Sequence, residues 1–383
     1  MKKWLVAILI LAMIAVPCAA EEGQGAAVTL AAPSAVLMTL DGQVLFEKDA
    51  HAPREPASVT KVMTLLLVCE AIDEGRVGLE DPVTASAHAA SMGGSQIWLE
   101  EGEVLTVEDM LKCVAVVSAN DCAVALGEHL AGSEEAFVAM MNQRARELGM
   151  KNTQFVNACG LTEEGHFTSA YDIGLMSGQL LREHPWICDY VTIWQDSVRA
   201  GESVLNNTNK LLKSYQGITG LKTGYTSTAG YCVSATARRE GLHLIAVIMG
   251  GASSAGRNGD AAALLNWGFA NYAAVTLGAD RPLLPVPVTM GKTDCVSLEL
   301  ARQQPIVLEK RLLSGLEKTL DIPETLPAPV EPGQEVGALV VRHEGKELCR
   351  VPILTAEGVE RLGLWDLFRA VLLHICGRSW KAG

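Results

Sequence analysis

Three short motifs occur in a fixed order along this chain: Ser58-Val59-Thr60-Lys61, Ser118-Ala119-Asn120 and Lys222-Thr223-Gly224. Each alone is common enough to arise by chance. Together they constrain the fold strongly, because the chemistry they offer exists only if segments far apart in sequence converge. A helix starting at Ser58 places Lys61 one turn further on the same face, within reach of the serine hydroxyl. A serine is a weak nucleophile until a base takes its proton. Lys61 can serve as that base when burial among Val62, Met63 and Leu65 and a second cation, Lys222, favour its neutral form. The helix N-terminus also favours negative charge developing beside Ser58.

The other two motifs supply the remaining parts. Ser118 and Asn120 follow the apolar run Leu111 to Val117 on a tight connection. There Ser118 can relay a proton to a leaving amine, and Asn120 can hold Lys61 and a substrate carbonyl. Lys222, Thr223 and Gly224 read as an edge strand, with Gly224 allowing an extended peptide to approach closely. Lys222 and Thr223 then offer a charge and a donor to a terminal carboxylate. The backbone N–H groups of Ser58 and Tyr225 are the natural oxyanion donors. No metal or cofactor is implied, since nucleophile, base and oxyanion donors are already present.

The chain around these motifs reads as a mixed α/β region. Ser34 to Lys48, broken at Asp41-Gly42, is a hairpin pattern. Helices are expected from Ser58 to about Asp73, from Thr106 toward Val117 with Asp109 placed as in a capping box, from Ser133 to Gly149, and from Ala261 to Phe269. Val191–Val198, Cys232–Ala237 and Leu244–Met249 read as strands. From Arg281 the pattern changes to short β-type runs with Pro/Gly punctuation, a small all-β domain reaching about Leu354. In the last segment Leu364, Trp365, Phe368, Val371, Leu372 and Ile375 share one helical face, with Asp366, Arg369, His374 and Arg378 mostly opposite. Such a helix is too interrupted to span a bilayer and suits either the membrane interface or the protein's own surface.

The N-terminus pairs Lys2 and Lys3 with an apolar run from Trp4 to Val16 and then Pro17, Cys18, Ala19 and Ala20. That is the pattern of an export signal cut after Ala20, with an uncleaved anchor as the other reading. The expected division is therefore signal 1–20, catalytic domain 21–277, β-rich domain 278–354 and terminal helix 355–383. A net charge of −13 excludes a nucleic-acid binder, which needs clustered Lys and Arg. The ten cysteines are scattered singly with no CxxC pair, so they read as small buried apolar residues rather than zinc ligands or disulfides.

With these residues in view, the chain resembles the low-molecular-mass penicillin-binding proteins, specifically the serine-type D-Ala-D-Ala carboxypeptidases. Beyond the three motifs, Pro56-Ala57-Ser58, Asn157-Ala158-Cys159-Gly160-Leu161, Thr168-Ser169-Ala170-Tyr171-Asp172, Asn206 to Leu212 and Arg257 to Phe269 carry the resemblance. It implies a penicillin-binding-protein/β-lactamase-like catalytic fold, then a β domain, then an amphipathic membrane anchor. It implies peptidoglycan stem peptides ending in D-Ala-D-Ala as substrate, β-lactams as inhibitors, and a location outside the cytoplasmic membrane. Some relatives carry an arginine shortly before the KTG strand to hold the substrate carboxylate. Here Asn207, Thr208 and Asn209 stand there, leaving Arg257 as either the carboxylate partner or a structural ion pair. Cys159 replaces a proline-histidine type of pairing. Three other readings use much the same residues: a DD-endopeptidase, a class A-like β-lactamase, and a non-catalytic penicillin sensor. The β-lactamase would need a glutamate in an ExxLN pattern, which Glu163 and Glu164 lack.

Overall fold

The structure is a computed structural model that describes residues 28–301 and 305–375. The export signal, Cys18, Cys376 and Arg378 lie outside these residues. Strands β1 (Ser34–Thr39) and β2 (Val44–Lys48) form the expected hairpin, with Gly42 at φ +89 in its turn. A 3-10 turn, Ala57–Thr60, leads into α1 (Lys61–Asp73), so Ser58 sits just before the regular helix rather than inside it. There follow β3 (Pro82–Thr84), a short α2 (Ala87–Ala90), β4 (Val104–Thr106), α3 (Val107–Val116), α4 (Asn120–Ala131), α5 (Glu134–Glu147) and α6 (Ala170–Glu183). The caps are those that the sequence announced: Thr106 accepts from the Asp109 N–H, and Ser133 from that of Ala136.

The segment expected as one strand over Val191–Val198 divides instead. Cys188–Val191 is a helical turn, α7, and only Gln195–Val198 is extended, as β5 paired with β6 (Ser203–Asn206). Ile187 and Val191, four residues apart, are both buried, a helical spacing that a strand would not satisfy. After a short α8 (Leu211–Ser214) come β7 (Ile218–Thr226), β8 (Gly230–Arg239), β9 (Leu242–Gly251) and α9 (Ser254–Asn271), a helix longer at both ends than the expected Ala261–Phe269.

One antiparallel sheet, in the order β2-β1-β9-β8-β7, organises the catalytic part. Its central strands are buried on both faces, and their alternation divides them between two cores. Val36, Met38, Ile245, Val247 and Met249 join the helical core built on α1, α3, α4, α5 and α6. Ala35, Leu37, Leu244, Ala246 and Ile248 meet Ala261, Leu264 and Leu265 of α9 on the other face. Helix α1 lies inside the first core and is buried from Lys61 to Cys69. A helix apolar nearly all round is the pattern for such a position. Gly174 and Gly178 of α6 let it lie directly on β1 and the turn after it: a Cβ would stand 2.5 Å from Met38 Cε and 2.6 Å from the Leu40 carbonyl oxygen.

Beyond the catalytic part, β10 (Tyr272–Val275) pairs with β14 (Ile306–Glu309). β11 (Val286–Thr289) lies between β12 (Cys295–Val296) and β16 (Leu326–Pro327). A four-stranded sheet runs β13 (Leu298–Leu300), β18 (Lys346–Thr355), β17 (Glu335–His343), β15 (Leu316–Asp321). This unit has its own small apolar clusters. It continues past residue 354, since Val359 packs in one of them and bridges Val330. Helix α10 (Leu364–Ile375) then leaves Leu364, Trp365, Phe368, Val371 and Leu372 exposed. No helix among the described residues is long and apolar enough to cross a membrane.

Five of the eight described cysteines fit their expected buried role, and Cys295 departs from it. Cys69, Cys113, Cys122, Cys159 and Cys232 are free and buried, Cys188 and Cys349 are half-buried, and Cys295 is exposed.

Candidate active site

Ser58 is held by a turn that only glycine neighbours permit. Gly160, at φ +85, passes so close that a Cβ there would fall 1.9 Å from the Ala57 carbonyl oxygen. On the other side Gly224 of β7 crosses the start of the turn, where a Cβ would lie 2.9 Å from the Ser58 backbone nitrogen. Because β7 is an edge strand, its outer side stays open to an added extended peptide. The loop carrying Gly160 is itself fixed by Asn157, whose Oδ1 accepts the N–H groups of Gly160 and Leu161 at 2.7 and 3.2 Å.

Lys61 lies fully buried behind Ser58. Its Nζ reaches Ser58 Oγ at 3.0 Å, Asn120 Oδ1 at 2.6 Å and the Cys159 carbonyl oxygen at 2.7 Å. Burial pulls its pKa down to about 8, against a smaller upward pull from Cys159 and Asp121. Neutral lysine has two N–H donors and one lone pair. With the donors on Asn120 and Cys159, the lone pair faces Ser58 Oγ, the arrangement of a general base. The Cys159 contribution is its backbone carbonyl; its thiol points back to Asn157.

Ser118 occupies the connection between α3 and α4 at φ +66, and its buried hydroxyl has no hydrogen-bond partner. Asn120 opens α4, and its Nδ2 donates to the Gly93 carbonyl, so its amide donor is engaged away from the cleft here. Lys222 is buried, with Nζ donating to the Thr223 carbonyl at 3.0 Å. Burial, then Lys61 and Arg257, push its pKa well below the ordinary lysine value. Thr223 shares a hydroxyl contact of 2.8 Å with Thr208.

These segments close around a cavity of about 260 Å3. Ser58, Ser118, Thr223, Gly224, Tyr225 and Arg257 line it, so six of the residues singled out in the sequence meet there, with Lys61, Asn120 and Lys222 packed behind. Arg257 is buried and makes no ion pair among the described residues. Its partners are Asn258 Oδ1, the Cys232 carbonyl and Ser254 Oγ. No carboxylate lines the cavity. Arg257 faces no anion there and, with the buried amines of Lys61 and Lys222 behind, forms a well for a carboxylate brought by the substrate.

Sequence reasoning missed Ser95, Thr208, Tyr231 and Ser254, which also line the cavity. Tyr231 pairs across the sheet with Tyr225 and stacks on it at 4.3 Å. A second buried group supports the nucleophile's turn. His166 Nδ1 accepts the Val156 N–H, so Nε2 carries the proton and donates to Thr60 Oγ1 at 2.8 Å. Burial lowers its pKa to about 4, so the ring is neutral near pH 7.

A family model of D-alanyl-D-alanine carboxypeptidases matches residues 20–253, and one of the C-terminal domain of penicillin-binding protein 5 matches residues 276–361. The chain is 41% identical over 340 residues to D-alanyl-D-alanine carboxypeptidase DacF of Bacillus subtilis, covering 87% of each chain. It is 32% identical over 352 residues to DacC of Escherichia coli, covering 88% of this chain and 87% of that one. Penicillin binding protein 5 from Haemophilus influenzae superposes with a TM-score of 0.76 at 29% identity, over 88% of this chain and 100% of that one. Ser58, Lys61, Ser118, Asn120 and Lys222 all lie within the first matched region, and the chain belongs to the D-alanyl-D-alanine carboxypeptidase family of serine peptidases.

Proposed function

We propose that this chain removes the C-terminal D-alanine from peptidoglycan stem peptides through an acyl-enzyme on Ser58. Ser58 Oγ attacks the carbonyl of the penultimate D-alanine while its proton passes to Lys61 Nζ. The C–N bond then breaks, and the proton returns to the leaving amine by way of the Ser118 hydroxyl. Water hydrolyses the ester with Lys61 again taking a proton. The Ser58 and Tyr225 N–H groups hold the oxyanion, and Lys222, Thr223 and Arg257 hold the terminal carboxylate. The observation that carries this reading is the buried Lys61 Nζ at 3.0 Å from Ser58 Oγ, beside a cavity lined by cationic and hydroxyl groups. A β-lactam carries the same carboxylate beside an acylating carbonyl, so it acylates the same serine.

The β-lactamase reading finds no support. Glu163 is exposed, accepts from Asn157 Nδ2 at 3.2 Å, and is absent from the cavity lining. The export-signal pattern of residues 1–20 supports a location beyond the cytoplasmic membrane. The exposed apolar side chains of α10 support an interfacial helix that holds it at the outer face of the cytoplasmic membrane. The test is release of D-alanine from a pentapeptide ending in D-Ala-D-Ala, with Ser58→Ala as control. Release by the wild type alone supports the assignment. Cleavage of cross-linked dimers without D-alanine release would make it an endopeptidase, and acylation by labelled penicillin with no cleavage of either substrate would make it a sensor.

A further inference from the structure

Trp98 is 74% exposed, yet its backbone is held from both sides. The N–H groups of Ile97 and Leu99 donate to the buried carboxylate of Asp121 at 3.0 and 3.1 Å. The carbonyls of Ile97 and Trp98 accept from Arg199 at 2.7 and 3.3 Å, and Arg199 is paired with Glu103. Between these clamps Trp98 adopts φ +63, a left-handed conformation unfavourable for a bulky residue. Strain of this kind persists where surrounding structure imposes it and gathers at ligand clamps. Core packing does not explain it, since the neighbours Ile97 and Leu99 are buried while the indole faces solvent.

The segment is continuous with the active site. Ser95 lines the cavity, and the Gly93 and Ser95 carbonyls accept from Asn120. From Ser95 to Trp98 is at most about 11 Å of chain. A second cavity-lining residue, Thr208, leads back along β6 to Val204, which is 57% exposed, over at most about 14 Å. Arg199 ties the two segments together through Ser203 Oγ and Glu103, next to exposed Val204 and Val104. The result is a ridge of chain joined through Arg199, which carries exposed Trp98, Val104 and Val204, with the charges of Arg199 and Glu103 cancelled against each other.

The geometry points to this ridge as a binding site for the sugar that carries the stem peptide, with Trp98 as its stacking platform. This inference rests on the proposed function. Between the scissile bond and the muramyl sugar lie four amino acids, about 14 Å of extended chain, the same order as the stretch of at most about 11 Å from the cavity edge at Ser95 to Trp98. An uncharged aromatic and aliphatic surface does not suit the carboxylate-bearing middle of the stem. It suits the C–H face of a pyranose and its N-acetyl group. Contacts so far from the reacting bond contribute through substrate binding energy used at the chemical step.

The experiment compares kcat/KM for a disaccharide-pentapeptide and for the same pentapeptide without sugar, using the full chain. The wild type is expected to favour the glycosylated substrate about tenfold. Trp98→Ala is expected to bring the ratio close to one, and Trp98→Phe to restore most of it. A wild type without preference, or an unchanged ratio in Trp98→Ala, would overturn the proposal. So would loss of penicillin acylation in Trp98→Ala, which would show that the residue shapes the catalytic loop. Failure of the wild type on both peptides would instead refute the carboxypeptidase reading itself.

Discussion

The pH dependence of Ser58 acylation tests the role of Lys61 quantitatively. With a pKa of about 8, Lys61 is about 9% neutral at pH 7 and about 91% neutral at pH 9. If its neutral form is the base, the second-order rate of acylation by a labelled penicillin rises about tenfold over that interval and levels off above it. A lysine with the ordinary value of 10.5 would give a rise of about 100-fold with no levelling below pH 9. The two curves therefore differ in slope and in shape. Penicillin suits the assay because its carboxylate stays ionised throughout. The profile is read by quenching at short times and measuring label on intact protein, with Lys61→Arg as control. A guanidinium cannot release its proton, so that variant should acylate at least about 100-fold more slowly. A rate independent of pH between 6.5 and 8.5 would refute lysine as the base, and so would an unimpaired Lys61→Arg.

Gly160→Ala should lower stability by about 3 kcal/mol or more, because φ +85 and the Ala57 carbonyl both oppose a Cβ. Gly75→Ala, at φ +70 but with nothing within 4 Å, should cost about 1 kcal/mol, and equal denaturation midpoints for the two would contradict the account. Arg257→Gln should reduce kcat/KM about 30-fold or more for a peptide ending in a free carboxylate, with a much smaller loss for the corresponding amide. Equal losses would remove Arg257 from carboxylate recognition. A chain ending at Gly363, which keeps Val359 in its cluster, should retain activity and lose vesicle binding. Persistent vesicle binding would refute the anchoring role of α10.

The side chains proposed to do the chemistry were legible because their types and order are unusual together, while their supports were not. Lys61 is positioned as much by the Cys159 carbonyl as by Asn120, and backbone acceptors leave no mark in a sequence pattern. The hairpin at Asp41-Gly42 and the caps at Thr106 and Ser133 were readable since each depends on one local residue type. Helix α4 was not expected: its stretch from Asn120 to Gly127 is buried throughout, so no polar face marks the helical period. Helix α6 was not expected either: Gly174 and Gly178 lower its helix propensity, yet they are the residues that fit it against Met38 and Leu40. Trp98 and Ser95 escaped notice because a loop's importance here comes from Asp121 and Arg199, distant in sequence.

The buried thiols have a consequence for how the chain reaches its fold. Burial pushes the pKa of Cys69 and Cys122 far up and that of Cys159 and Cys232 up as well, so almost no thiolate is present once the core has closed. Thiolate is the species that air, disulfides and metals attack. The described cysteines of the catalytic unit are all unpaired, so packing and not cross-linking holds it together. Its hazard falls in the interval before closure, when the same sulfurs are ionisable, and among the described residues the exposed Cys295 on the β-rich unit is then the thiol most open to joining two chains covalently.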